Sequence, residues 1–95
     1  MLKVIAKMNI APEEEDAAVE LAKELVAATL REEGCISYNF CKELDADDSF
    51  AMIETWESQE ALDKHMQSEH FTRLLPQLQQ HCYGDLTISV YTALV

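Results

Sequence analysis

The order of two hydrophobic periods along the chain most constrains what it can fold into. Apolar and polar residues alternate with the two-residue period of a β-strand over residues 2–10, 35–43, 50–57 and 85–95. Between these strands, apolar residues recur at helical spacing over about 12–33 and 58–78. The resulting order, strand, helix, strand, strand, helix, strand, is the split βαβ pattern of a ferredoxin-like α+β fold. We therefore expect an antiparallel four-stranded sheet with helices on one face.

Local signals place the ends of the predicted helices. Pro12 and the run of acids after it indicate the start of the first helix, and Gly34 is expected to end it at about residue 33. Ser58 is expected to cap the second helical region. Pro76 should kink or divide that region, and Gly84 should separate it from the last strand.

The strand pattern also predicts which side chains share a face. On the second strand one face should carry Ile36, Tyr38 and Phe40. On the third strand the buried face should carry Phe50, Met52, Glu54 and Trp56. Helices can cover only one face of such a sheet, and the other face is mixed in polarity. We therefore expect the uncovered face to meet a second copy, which makes a homodimer.

Chain length and charge exclude several classes of protein. The 95 residues, 48% of them hydrophobic, predict one domain over residues 1–95. The formal net charge of -11 opposes binding to nucleic acid and to anionic membrane surfaces, so a small neutral partner is favoured. No apolar run approaches the ~20 residues of a membrane span, and the first residues alternate in polarity instead of forming a signal-peptide core. We expect a cytoplasmic protein.

Motifs for metals, nucleotides and covalent catalysis are not found. Three cysteines without CxxC spacing predict neither a disulfide framework nor a zinc site, and favour free thiols in a reducing compartment. The three histidines, at 65, 70 and 81, are not spaced to place two on one helical face beside a third ligand. With two glycines in the whole chain there is no phosphate-binding loop, and no GxSxG motif is present. The sequence therefore predicts no metal and no cofactor.

One group of residues remains as a candidate site, in a cleft between the sheet and the second helical region. Trp56 offers a flat surface for a planar ligand, and His65 can move protons near neutral pH. Glu54, a carboxylate on an apolar strand face, needs a hydrogen-bond partner or a raised pKa; we expect it to orient His65, with Tyr38 in support. The alternative is purely structural, with a Glu–His contact tying strand to helix and Trp56 packing in the core.

Four segments carry a resemblance to a known family. The sequence reads EEGCISY at 32–38, IETWES at 53–58, ALDKH at 61–65 and SEHF at 68–71. In this order the segments resemble the antibiotic biosynthesis monooxygenase domain family, and most closely its quinol monooxygenase branch. The resemblance spans almost the whole chain. It implies a dimeric α/β barrel whose subunits each hold a small pocket between sheet and helices.

The resemblance also implies a reaction and its site. Oxygenases of this family add O₂ to quinol-like or polyhydroxylated aromatic substrates without metal or flavin, because the ionised substrate supplies the electrons. Here His65 and Glu54 would be catalytic, and the substrate-binding residues would be Tyr38, Met52, Trp56 and Met66. Leu75 stands where a haem-degrading branch has its iron-binding histidine, which disfavours haem. Two alternatives stay open: an isomerase of a small, phosphorylated carbonyl metabolite, and a non-enzymatic dimer that binds a small ligand.

Overall fold

A computed structural model describes all residues, 1–95, and confirms the ferredoxin-like α+β fold. Its elements follow the predicted order, with the second helical region split in two. The strands are β1 (Leu2–Ile10), β2 (Cys35–Lys42), β3 (Ser49–Trp56) and β4 (Cys82–Thr92). The helices are a short 3-10 turn (Pro12–Glu14), α1 (Glu15–Thr29), α2 (Gln59–Met66) and α3 (Glu69–Gln79). No helix combines the length and the apolar composition that crossing a membrane requires.

The four strands form one antiparallel sheet in the order β2-β3-β1-β4. The helices cover one face. On that face the predicted alternation is confirmed for the two central strands, whose inward side chains are buried: Val4, Ala6, Met8, Ile10, Phe50, Met52, Glu54 and Trp56. Leu25 of α1 and Leu74 and Leu78 of α3 complete the core against them.

β4 lies at the edge of the sheet, and the helices leave much of it uncovered. Val90 is paired with Val4, and Ile88 with Ala6, so both apolar side chains of β4 face the helix side. They nevertheless remain 49% and 44% exposed. An open apolar strip thus lies beside the second and third helices.

The ends of α1 and β4 differ from the prediction. The regular helix stops at Thr29, and residues 30–33 continue as tighter turns, with the Glu32 N–H donating to the Thr29 carbonyl at 2.9 Å. Gly34 then takes the left-handed conformation, at φ 89°. Gly84 does not separate α3 from β4 but lies inside the strand, at φ 68°, beside a shift of register on β1. One residue of such a bulge has a left-handed backbone conformation, which glycine adopts more readily than other residues.

The predicted division at Pro76 and the predicted face of Ile36 are corrected. The helix α3 runs undivided through Pro76, because the carbonyl that loses its donor belongs to Thr72, an exposed residue that water can reach. On β2 a bulge between Cys35 and Ser37 turns Ile36 out of the buried face, where it is 46% exposed. Tyr38, beyond the bulge, faces the core as predicted.

Candidate active site

A small, mostly apolar cavity lies where the open strip of β4 meets α2 and α3. Its volume is about 120 Å³. The polar members of its wall are Glu54, Gln59 and His65. The apolar members are Val4, Leu62, Met66, Phe71, Ile88 and Val90. A cavity of about 150 Å³ in another protein holds one benzene ring, so this space matches a single ring or the end of a larger planar molecule.

Glu54 supplies the carboxylate of this cavity. The residue is 5% exposed, and one of its oxygens accepts a hydrogen bond of 2.9 Å from Trp56 Nε1. No side chain or backbone group donates to the other oxygen. Burial raises the pKa of Glu54 to about 7, against the lowering effect of the Trp56 N–H, and the charge of Glu32 raises it slightly further. A carboxyl group that titrates near neutral pH therefore borders an apolar space.

His65, in the last turn of α2, has both ring nitrogens engaged. Nδ1 lies 2.6 Å from Glu32 Oε2, and Nε2 lies 3.4 Å from the Tyr38 hydroxyl. Burial is the largest influence on the pKa of His65 and lowers it, although Glu32 acts in the opposite direction. A neutral ring that donates from Nδ1 to the carboxylate has its lone pair on Nε2, so Nε2 accepts from the Tyr38 O–H.

Aromatic rings surround this imidazole and fix its plane. The ring centroid of Trp56 lies 4.7 Å from that of His65, and those of Phe71 and Tyr38 lie at 4.8 and 5.2 Å. Burial and nearby carboxylates raise the pKa of the Tyr38 phenol far above its usual value, which keeps it protonated. The imidazole is thus held from several sides at the wall of the cavity.

The structure brings together some of the predicted site residues and separates others. Glu54, His65 and Met66 line the cavity. Trp56 does not, because it is fully buried behind Glu54 and His65 and has no free face for a ligand to stack on. Tyr38 and Met52 are also core residues outside the wall.

The predicted contact in which Glu54 orients His65 is not formed. Glu32 has that place, because the turns after α1 carry its carboxylate to Nδ1 of the imidazole. Glu54 instead bonds with Trp56, two residues further along the same strand.

Sequence reasoning missed two groups of residues at this site. The first is the apolar wall of Phe71, Ile88 and Val90. The alternation predicted for the last strand could have indicated Ile88 and Val90. It places both on the inward face of β4, much of which the helices leave uncovered. The second is the pair Glu32 and His70, whose side chains meet at 2.7 Å. Only the packing of α1, α2 and α3 brings them together.

A larger apolar groove lies elsewhere, between α1 and the neighbouring strands β2 and β3. Its volume is about 470 Å³, and it is bordered by the ion pair of Lys42 and Glu15, at 2.8 Å. Lys42 also lies over the ring of Phe50. No buried acid or base lines this groove, so it offers binding surface without proton-transfer chemistry.

Comparisons with known proteins match this architecture. The family model described as antibiotic biosynthesis monooxygenase matches residues 1–76. A crystal structure described as an antibiotic biosynthesis monooxygenase is 39% identical, covers both chains completely and superposes with a TM-score of 0.92. A conserved protein from Methanosarcina mazei Go1 is 34% identical over 95% of this chain and 89% of its own, with a TM-score of 0.92. An uncharacterised protein of Synechocystis is 31% identical over 72% of this chain, which spans only 46% of that relative.

Proposed function

The chain belongs to the antibiotic biosynthesis monooxygenase family, and on this premise we propose that it is a monooxygenase of quinol-like or polyhydroxylated aromatic molecules. The observation that carries the proposal is Glu54, a buried carboxylate with a pKa of about 7 on the wall of a ring-sized apolar cavity. The substrate ring would enter between Met66 and the β4 strip of Ile88 and Val90, with its hydroxyl toward Glu54.

Glu54 is the better candidate for the base because one of its oxygens is free, whereas both nitrogens of His65 are hydrogen-bonded. Its raised pKa makes it a stronger base than an ordinary carboxylate. A simple phenol titrates near pH 10, so transfer of its proton to a carboxylate of pKa about 7 costs about 4 kcal/mol. The same transfer to an unperturbed carboxylate would cost about 3 kcal/mol more.

The proposed reaction balances without an added cofactor. The quinol gives up four electrons to O₂; one oxygen atom enters the ring as a hydroxyl group, and the other leaves as water. The products are a hydroxyquinone and water. In this scheme His65 acts by position: Glu32 and Tyr38 hold its ring against the cavity, and Trp56 holds Glu54.

An oxygen electrode with hydroquinones and anthrones tests the proposal. Glu54→Gln should lower the enzymatic rate of O₂ uptake by about 100-fold or more, the usual effect of losing a general base. Glu57→Gln, which changes an exposed acid three residues further on, is the matched control and should keep the rate. With ¹⁸O₂ the product should gain one labelled oxygen.

His65→Gln separates the two candidates for the base. Uptake that survives Glu54→Gln but is lost in His65→Gln would move the role to His65. Absence of uptake in the wild type would refute the oxygenase. Anaerobic conversion of a phosphorylated carbonyl compound would then support the isomerase, and ligand binding without any turnover would support the binding protein.

We also propose that two copies pair through the sheet face that the helices leave open. This face carries Ile5 and Ile53 opposite each other, together with Tyr91 on β4; Ile53 and Tyr91 are about half exposed. Covering a row of exposed apolar side chains with a second copy removes their surface from water, which favours association. Light scattering should give the mass of a dimer for the wild type, and Ile53→Glu should shift it toward the monomer. A wild type that remains monomeric at high concentration would refute this pairing.

A further inference from the structure

We propose that Glu32, His65 and His70 form a binding site for a divalent transition-metal ion of the Zn²⁺ class. Their ligand atoms all lie within 4.8 Å of one another. One carboxylate oxygen, Glu32 Oε2, lies 2.6 Å from Nδ1 of His65 and 2.7 Å from Nε2 of His70. The three side chains are 15%, 1% and 17% exposed, so the cluster is largely shielded from water.

The fold explains why these residues meet although their spacing along one helix does not suggest it. His65 lies in the last turn of α2 and His70 in the first turn of α3, and the break at Gln67 and Ser68 redirects the chain between them. Glu32 approaches from the turns after α1. Three separate segments thus each supply one ligand, which is a more rigid arrangement than a single mobile loop.

The donor set fits the chemistry of the proposed ion. Two imidazole nitrogens and one carboxylate oxygen are ligands that Zn²⁺ takes, at about 2.0–2.2 Å, with a fourth position left for water. Tetrahedral ligands at that distance lie about 3.4 Å apart, so the two short contacts to Glu32 must open by less than about 1 Å. The two imidazole nitrogens, which lie within 4.8 Å of each other, must approach by up to about 1.4 Å. Rotation of the partly exposed His70 and Glu32 side chains can provide that movement.

An acidic cleft beside the cluster offers a path for the cation. Glu32 also lines this cleft, whose volume is about 350 Å³, together with Glu33, Glu57 and Glu60. Lys64 is its only basic residue. A cleft lined by carboxylates raises the local concentration of cations, and the net charge of -11 acts in the same direction.

Binding would change the hydrogen bonding of His65. A metal ion on Nδ1 needs the lone pair there, so the ring proton must move to Nε2. The bond to Tyr38 then reverses, with Nε2–H donating to the phenol oxygen. The metal-free and metal-bound proteins therefore differ in the tautomer of one buried histidine, which is an observable distinct from any activity.

Calorimetry with Zn²⁺ on tag-free protein stripped of metal tests the site. The wild type should bind one ion per chain, and His70→Ala should weaken binding by about 10-fold or more, since it removes one of three ligands. His81→Ala is the matched control, because His81 also lies near a carboxylate, Glu14, at 3.5 Å, but outside the cluster. It should leave the affinity unchanged.

Two further measurements use the wild type, so they remain informative if a variant fails to fold. Co²⁺ in the wild type should give the visible absorption of a tetrahedral site, and ¹⁵N spectra should show the proton of His65 moving from Nδ1 to Nε2. Absence of both signals, or equal weakening by His70→Ala and His81→Ala, would overturn the proposal. None of these readouts depends on turnover, so the result stands whatever the substrate of the neighbouring cavity.

Discussion

The buried carboxyl group of Glu54 should make the protein less stable as pH rises, and Glu54→Gln should remove that dependence. The pKa is raised from 4.5 to about 7 on folding. Ionising Glu54 therefore costs about 3 kcal/mol more in the folded protein than in the unfolded chain. For a group with a raised pKa, the stabilisation is complete below the unfolded value and is lost as pH rises through the folded value. Gln cannot ionise, and its oxygen can still accept from Trp56 Nε1.

The magnitude follows from the two pKa values. Between pH 5 and pH 8 the free energy of unfolding of the wild type should fall by about 2.5 kcal/mol relative to that of Glu54→Gln. Other titrating groups, including His65, are present in both proteins, so their contributions largely cancel in the difference. The pH dependence of the difference therefore isolates Glu54, whatever constant effect the substitution itself has.

Urea denaturation followed by the fluorescence of Trp56, the only tryptophan, measures this difference. Protein concentration must be held constant, because self-association would change apparent stability. Glu57→Gln, at an exposed position, is the control and should give a curve parallel to the wild type. Parallel curves for Glu54→Gln and the wild type from pH 5 to 8 would refute the raised pKa, and with it the argument for Glu54 as a base.

Four other substitutions test how the site is supported. Gly34→Ala should cost at least about 2 kcal/mol in thermal or urea unfolding, because Gly34 has φ 89° and its added Cβ would lie 2.5 Å from that of Ala61. Gly84→Ala, left-handed but unobstructed, should cost only about 1 kcal/mol; equal losses would contradict the steric argument. Ser58→Ala removes the oxygen that accepts from the Ala61 N–H at 3.2 Å and should cost about 1 kcal/mol, measured by circular dichroism. Trp56→Phe removes the N–H that lowers the pKa of Glu54, so titration should find that pKa higher in the variant; no change would contradict the hydrogen bond.

Much of the fold could be predicted from local patterns, because strand and helix periods are properties of neighbouring residues. The order of elements and the buried face of β3 followed from those periods, and both are confirmed. Apart from the division expected at Pro76, the errors fall where a bulge or a tight turn changes the number of residues per strand or helix. Ile36 is turned outward by such a bulge, and Gly84 lies within a strand instead of before it.

The candidate site was predictable only in part. Glu54 stood out because a carboxylate on an apolar strand face is unusual, and the structure does place it, with His65, on a cavity wall. The full burial of Trp56 could not be predicted, since composition cannot tell a fully buried indole from one that faces a ligand. The sequence likewise assigned the contact of His65 to Glu54, whereas the folded chain forms it with Glu32.

The sequence by itself determined the family, the split βαβ order and the presence of an acid on the inner face of β3, because each of these is written in short stretches of residues. The tertiary structure alone decided which side chains meet. The partners Glu32 and His65 are 33 residues apart, and the cavity joins Glu54 to Val90. Hydrogen bonds and desolvation act over a few ångströms in space, and only the packing of the helices on the sheet establishes those distances.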